Sequence, residues 1–254
     1  MALLTVDRVS KSFRGLRAVS DASFEVPDGG MVALIGPNGA GKTTLFNVIA
    51  GVLRPDSGSV TFAGRRIDGL RPDVVCRAGV GRTFQIVKPF GGLTVLENVM
   101  VGAFRATTDP DAARAKALEV LDRLGLAAKA EQVAASITLP ERKRLEVARA
   151  LATEPRLLLL DEVMAGLRPT ETDEMVSVFR ELNRAGLTIL LIEHVMRAVM
   201  ALAEEIVVLH HGQVISRGAP EAVVRDPAVL ESYLGEADAA GGAGEADAAG
   251  EDVA

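Results

Sequence analysis

One stretch near the start of the chain has the residue types and spacing of a phosphate-binding loop. Gly36, Gly41, Lys42 and Thr43 occupy every specified position of the pattern G-x-x-x-x-G-K-[ST]. Glycines let the backbone turn its N–H groups towards phosphate oxygens, Lys42 would reach the β- and γ-phosphates, and the Thr43 hydroxyl would bind Mg²⁺. The stretch therefore predicts a nucleotide site. Its binding residues would be Gly36, Asn38, Gly39, Ala40, Gly41, Lys42, Thr43 and Thr44.

Two acids later in the chain complement this loop. Asp161 and Glu162 follow four consecutive leucines, a run that is typical of a buried parallel strand. Ligands of open parallel sheets lie at the carboxyl ends of the strands. There Asp161 would hold Mg²⁺ beside Thr43, and Glu162 would polarise a water for attack on the γ-phosphate. As adjacent strand residues, the two would point to opposite sides.

Three further side chains have two possible roles each. His194 ends the next predicted strand, where it could contact a γ-phosphate or make an ordinary hydrogen bond at a helix start. Gln85 ends another strand and could bind Mg²⁺ or position water, although most such residues are polar caps. Phe13 could stack on an adenine or form an edge of the core. For all three, the residue pattern leaves both roles open.

The elements that must position these residues form an α/β pattern. Alternation predicts antiparallel strands over residues 3–13 and 22–26, and apolar runs predict strands over 31–35, 58–64, 80–85, 156–162 and 187–192. Helices are predicted over residues 44–50, 72–77, 94–104, 111–124, 138–152, 170–185 and 195–203, and a closing hairpin over 205–216. Strands that alternate with helices favour a largely parallel sheet, with the early strands and the helices of residues 94–124 as side elements.

Length and charge restrict the class of protein. The 254 residues allow one large α/β domain, and the single cysteine fits a reducing compartment. No apolar run approaches the length of a membrane span, and charge begins too early for a signal peptide, so we expect a cytoplasmic protein that reaches a membrane through a partner. All six acids after Gly235 lie in a Gly/Ala-rich repeat, which predicts a disordered tail over residues 235–254. The rest carries 28 acids and 28 basic residues, which argues against nucleic acid as a partner.

Together these motifs resemble one family, the nucleotide-binding subunits of ABC transporters, over residues 3–234. The resemblance implies a P-loop NTPase fold with a mainly parallel core sheet, an antiparallel side sheet and a helical subdomain over about residues 94–152. It implies ATP and Mg²⁺ as cofactors. Phe13 then resembles the adenine-stacking aromatic, Gln85 the Q-loop glutamine, Asp161 the Walker B aspartate, Glu162 the catalytic glutamate and His194 the switch histidine.

A narrower resemblance is to the LivG-type ATPases of branched-chain amino-acid uptake. It is carried by Gly81-Arg82-Thr83-Phe84-Gln85, by residues 93–100 and 161–167, and by Ile192-Glu193-His194. It implies a second ATPase subunit, sister or self, two membrane permeases and an external binding protein. Lipid export and urea uptake remain alternatives within transport, and a soluble ATP-dependent switch is the alternative outside it.

One segment departs from the family pattern. Where members have Leu-Ser-Gly-Gly-Gln, this chain has Ile137-Thr138-Leu139-Pro140-Glu141, so the glycine N–H that would meet the partner's γ-phosphate is absent at Pro140. Thr138 could still bind, since one hydroxyl can accept from the Glu141 N–H and donate to a phosphate oxygen. Glu141 would bring negative charge towards the anion. We therefore predict that this subunit contributes an intact phosphate-binding loop to its own nucleotide site. Its segment of residues 137–141 would contribute only weakly to the nucleotide site of the partner.

Overall fold

The computed structural model describes residues 1–83 and 89–233, and its strands form two sheets. The strands are β1 (Ala2–Phe13), β2 (Leu16–Pro27), β3 (Met31–Ile35), β4 (Ser57–Phe62), β5 (Arg65–Arg66), β6 (Val80–Arg82), β7 (Leu157–Asp161), β8 (Thr188–Ile192), β9 (Glu205–His210) and β10 (Gln213–Gly218). The helices are α1 (Lys42–Ile49), α2 (Pro72–Ala78), α3 (Val95–Ala103), α4 (Pro110–Arg123), α5 (Leu139–Leu151), α6 (Pro169–Arg184), α7 (Met196–Leu202) and α8 (Pro220–Val223), and residues 227–233 are also helical.

The larger sheet positions the predicted site. Its strand order is β10-β9-β3-β8-β7-β6, and neighbours from β9 to β6 pair in parallel. Every residue of β3, β7 and β8 is buried. Alternate residues enter two different hydrophobic clusters, with Leu158 and Leu160 on one face of β7 and Leu157 and Leu159 on the other. A sheet covered on both faces explains why these strands are continuous apolar runs, and the predicted parallel core is confirmed.

The smaller sheet is antiparallel, as predicted, with the order β2-β1-β4-β5. The predicted start of its second strand at residue 22 is wrong, because β2 begins at Leu16. The turn contains only Arg14 and Gly15, both with positive φ (46° and 88°). Such two-residue turns match the twist of a hairpin and let the strands pair at once. Register shifts along β1 and β2 interrupt the alternation that would have revealed the longer strand.

Three helices, α3 to α5, lie between β6 and β7 in the chain and pack on one another. The predicted capping box of α3 is present, since Glu97 N–H donates to Thr94 Oγ1 and Thr94 N–H donates to Glu97 Oε2. Pro140 lies in the first turn of α5, as predicted, where its missing N–H costs little. In the described part of the chain, no helix combines the length and apolar character that crossing a bilayer requires.

Two strand ends differ from the prediction. Glu162 does not belong to β7, which ends at Asp161, and it adopts a left-handed backbone conformation with φ of 52°. The argument that Asp161 and Glu162 point apart as strand residues is therefore wrong. β6 ends at Arg82, so the predicted strand is wrong at Thr83, whereas residues 84 and 85 lie outside the described residues, as does the predicted tail over residues 235–254.

Candidate nucleotide site

The phosphate-binding loop leaves the carboxyl end of β3 and enters α1, as its sequence predicts. Gly36 and Gly41 have φ of 146° and 103°. A Cβ on Gly36 would collide with the Leu209 carbonyl oxygen, and one on Gly41 with the Ala18 carbonyl oxygen. α1 begins without a side-chain cap from the described residues and without an acid in its first turn. Its first N–H groups and the positive end of its dipole are therefore suited to an anion.

Lys42 is the cation of the loop. Its side chain is buried, and Nζ donates to Gly36 O at 2.6 Å and to Pro37 O at 2.8 Å. The loop carbonyls thus hold the ammonium group inside the turn that the glycines shape. This arrangement concentrates positive charge where phosphate oxygens would enter.

A cavity of about 290 Å³ lies over this loop. Its lining joins the loop to the residue that follows β7, because Glu162 lines the cavity together with Lys42 and Thr43. The predicted binding residues that line it are Asn38, Gly39, Ala40, Gly41, Lys42, Thr43 and Thr44, and Ala18 lines it as well. The structure therefore brings the predicted loop and the predicted hydrolytic carboxylate to one cavity.

Asp161, the last residue of β7, is held by an ion pair. Its Oδ2 accepts from Arg82 NH2 at 3.1 Å, with side-chain exposures of 1% for Asp161 and 9% for Arg82. Its backbone N–H donates to Thr83 Oγ1 at 3.1 Å. Burial raises the pKa of the Asp161 carboxyl, and the Arg82 charge opposes that rise. Among the described residues, Asp161 Oδ1 is buried and accepts no hydrogen bond.

Glu162 and His194 meet at the same sheet edge. Glu162 Oε1 lies 2.7 Å from His194 Nε2, although the two residues follow different strands. The pairing of β7 with β8 places Asp161 opposite Ile192, which brings the two strand ends level. Parallel neighbours that end at one level explain why residues 32 positions apart in the chain come together. A carboxylate fixed by an imidazole can accept a proton from water in a directed way.

The remaining predicted residues lie elsewhere. Phe13 is 42% exposed at the end of β1, with Lys11 Nζ 5.8 Å from its ring centre, and it does not line the phosphate cavity. Thr138 caps α5, where its hydroxyl donates to Glu141 Oε2 at 2.9 Å. The predicted donation from Thr138 to a phosphate would therefore compete with a carboxylate on its own helix. Gln85 lies outside the described residues.

Sequence reasoning missed three charged residues near the site. Arg82 pairs with Asp161, Lys143 Nζ donates to Glu162 O at 3.1 Å, and Glu193 Oε1 accepts from Met164 N–H at 2.8 Å. Their contacts depend on strand register and helix packing, which no local pattern encodes. One signal was available for Glu193, because a carboxylate directly follows the apolar run Ile189-Leu190-Leu191-Ile192 and precedes His194.

Known proteins match the chain in sequence and in structure. The profile of the ABC transporter family matches residues 19–165, and that of branched-chain amino acid ATP-binding cassette transporters matches residues 213–239. The high-affinity branched-chain amino acid transport ATP-binding protein LivG of Salmonella typhimurium is 40% identical over 251 residues, which span 92% of this chain and 98% of that protein. The lipopolysaccharide export system ATP-binding protein LptB of Haemophilus influenzae is 35% identical over 237 residues, spanning 93% and 98%.

Solved structures agree with these sequence relatives. A nucleotide-free ATP-binding cassette from an ABC transporter superposes with a TM-score of 0.85 at 31% identity, over 92% of this chain and 99% of that one. The chain belongs to the ABC transporter family and is one of its ATP-binding ATPases.

Proposed function

We propose that this ATPase drives branched-chain amino-acid uptake, and that Glu162 is its hydrolytic residue. The observation that supports the site assignment is that Glu162 lines the same cavity as Lys42 and Thr43. The C-terminal match to branched-chain amino acid cassettes supports the cargo. Lys42 and the N–H groups of the loop hold the phosphates, while Glu162, oriented by His194, accepts the proton of the attacking water.

The oxygen ligands present fit Mg²⁺. Asp161 Oδ1 is a buried acceptor with no hydrogen-bond donor among the described residues, and such an oxygen suits a hard cation. We assign Asp161 and the Thr43 hydroxyl to the metal, with Gln85, outside the described residues, as a third ligand. The ion would neutralise charge on the β- and γ-phosphates. Arg82 holds the other carboxylate oxygen, Oδ2, which leaves Oδ1 for the metal.

The remaining predicted residues complete the nucleotide site in this proposal. Phe13 stacks on the adenine from the exposed end of β1. Thr138, at the N-terminus of α5, faces the nucleotide of a second ATPase subunit, which is either a sister or a second copy of this chain. Residues 1–234 form one ATPase domain with a helical subdomain over about 94–152, and residues 235–254 form an acidic tail.

A second cavity supports attachment to permeases. It measures about 320 Å³ and is lined by residues of α2, β6, α3 and α5, among them Cys76, Gly81, Val101 and Arg149. Arg82 lines this cavity and pairs with Asp161, so a permease segment bound there would lie near a residue that contacts the nucleotide site. Two permeases would hold the ATPase pair on the inner face of the cell membrane, and an external binding protein would deliver cargo. Nucleic acid has no part in this assembly.

Lipid export is the main competing cargo, because the chain also matches a lipopolysaccharide export ATPase. Its match is weaker than that to LivG of Salmonella typhimurium. Uptake of radiolabelled leucine by cells that carry the transporter, compared with cells lacking this subunit, distinguishes these alternatives. Unchanged leucine uptake would contradict the proposed cargo, while leaving the ATPase assignment intact.

Replacing Glu162 with Gln tests the site. The amide keeps the shape of the side chain but cannot accept the proton, so we expect hydrolysis in the assembled transporter to fall about 100-fold or more while ATP binding persists. The closed ATPase pair should accumulate, detectable by size-exclusion chromatography of the isolated subunits with ATP. Glu131→Gln is the control, since Glu131 pairs with Arg114 on the surface. Normal hydrolysis by Glu162→Gln would disprove the assignment.

A further inference from the structure

The turn that carries Glu162 is held by contacts from two other elements. Glu162 has a left-handed backbone conformation, which costs a non-glycine residue free energy and persists only where its surroundings impose it. Three hydrogen bonds restrain the turn: Glu162 N–H donates to Ile192 O at 2.9 Å, Lys143 Nζ donates to Glu162 O at 3.1 Å, and Met164 N–H donates to Glu193 Oε1 at 2.8 Å. The contacts from Ile192 and Glu193 come from the end of β8, and the contact from Lys143 comes from α5.

Glu193 is an unusual residue for such a contact. It is only 2% exposed, and within the described residues its Oε2 accepts no hydrogen bond. Burying a carboxyl group is costly, and an acceptor for one backbone N–H could be supplied by a smaller neutral side chain. Glu193 lies next to His194, so one dipeptide contacts the Glu162 turn twice. The Glu193 side chain holds the backbone at Met164, and the His194 ring holds the Glu162 carboxylate.

We propose that Glu193 is a positioning residue for ATP hydrolysis, holding the turn of residues 162–164 so that the Glu162 carboxylate faces both the phosphate cavity and His194. The proposal rests on the hydrolytic role of Glu162 proposed above. Glu193 does not line the phosphate cavity, so it acts through the backbone of the turn and not on the nucleotide. Its loss should lower kcat and leave ATP affinity nearly unchanged.

Two variants of similar side-chain length separate positioning from packing. Glu193→Gln keeps an oxygen that accepts the Met164 N–H, whereas Glu193→Met fills the space without that acceptor. In the purified transporter we expect Glu193→Met to lower kcat about 10- to 100-fold, because small displacements of a reacting group have effects of that size. The KM for ATP should change less than about two-fold, and Glu193→Gln should retain at least about one third of wild-type kcat.

Thr188→Val is the matched control. Thr188 lies at the other end of β8, is fully buried, and accepts the Gly29 N–H at 2.8 Å. Thr188→Val therefore removes the same kind of hydrogen bond far from the turn. This variant should lower the melting temperature without lowering kcat. Equal kcat values for Glu193→Met and Glu193→Gln, or a raised KM with unchanged kcat, would overturn the proposal. Failure of the wild-type transporter to hydrolyse ATP would instead overturn the proposed function.

Discussion

At the residue scale, three carboxyl groups lie at neighbouring strand ends in different surroundings. Asp161 is buried against Arg82, Glu162 lines the phosphate cavity beside His194, and Glu193 is buried against a backbone N–H. Burial raises the pKa of Asp161 and Glu193, and in both cases nearby donors or cations oppose the rise. Carboxyl groups in different surroundings therefore suit different roles. Asp161 suits cation binding, Glu162 suits proton transfer, and Glu193 suits holding a backbone turn.

The buried Glu193 carboxyl should make stability depend on pH. Burial, with a smaller effect of the Glu162 charge, raises the pKa of Glu193 from 4.5 to about 7. The folded protein then binds this proton more tightly than the unfolded chain, so the contribution of Glu193 to the free energy of unfolding decreases as pH rises from 4.5 to about 7. Gln cannot titrate. Relative to wild type, Glu193→Gln should therefore gain up to about 3 kcal/mol between about pH 5 and pH 8.

Urea unfolding of both proteins at the two pH values measures this difference. The sign is the critical result, because a carboxyl whose pKa is lowered in the folded state would make the variant lose stability as pH rises. A stability difference that is the same at both pH values would show that Glu193 has an ordinary pKa. The measurement needs only the folded subunit, and so it is independent of transport.

Residues that belong to a sequence motif were predictable from the sequence. Residues that act through tertiary contacts were not. The spacing of Gly36, Gly41, Lys42 and Thr43 predicted a phosphate-binding loop between β3 and α1, and the apolar run before Asp161 predicted β7. Arg82 and Lys143 gave no such signal. Arg82 pairs with Asp161 because β6 lies beside β7 in a particular register, and Lys143 contacts Glu162 because α5 packs beneath the turn. Both facts depend on tertiary structure.

At the element scale, the phosphate-binding loop is fixed by glycines that differ in what surrounds them. A side chain on Gly36 would collide with the Leu209 backbone and would also meet φ of 146°. Gly39 has φ of 77° but has open space where a Cβ would lie. Of these two positions, only Gly36 combines strain with a collision against the backbone of another segment.

Replacing each of these glycines with Ala separates strain from collision. Gly39→Ala should cost about 1 kcal/mol, which lowers the melting temperature of a domain of this size by roughly 2–4 °C. Gly36→Ala should cost about 3 kcal/mol or more, because the loop must move away from β9. Differential scanning calorimetry of both variants measures the contrast. Similar melting temperatures would mean that the loop relaxes around the added methyl group.

Strands were easier to predict than their connections. The prediction for residues 31–35 coincides with β3, because a strand buried on both faces is apolar throughout. The start of β2 was misplaced because charged residues and register shifts obscure its alternation. The end of β7 was misplaced by one residue, and that residue is Glu162, whose left-handed backbone is imposed by tertiary contacts.

At the scale of the whole molecule, the first turn of α5 is the part that the proposed function assigns to the nucleotide of a partner subunit. Glu141 Oε2 accepts hydrogen bonds from both the N–H and the hydroxyl of Thr138, and these donors hold the pKa of Glu141 below its usual value. The first turn of α5 therefore presents a carboxylate that stays ionised. Pro140, also in that turn, has no N–H to offer. An anion that approaches this end of α5 would be repelled by the Glu141 carboxylate. It would also have one backbone N–H fewer to bind, because Pro140 has none.

Restoring the donors should therefore raise turnover. In the double variant Pro140→Gly and Glu141→Gln, glycine adds an N–H and glutamine removes the charge while keeping an acceptor for the Thr138 N–H. We expect ATPase turnover of the assembled transporter to rise several-fold, although Gly at this position costs the helix about 1 kcal/mol. Glu97→Gln in the capping box of α3 is the control, because it removes a charge at an equivalent helix start away from the site. Turnover equal to wild type in the double variant would mean that this helix start, as it stands, does not limit hydrolysis at the partner's nucleotide.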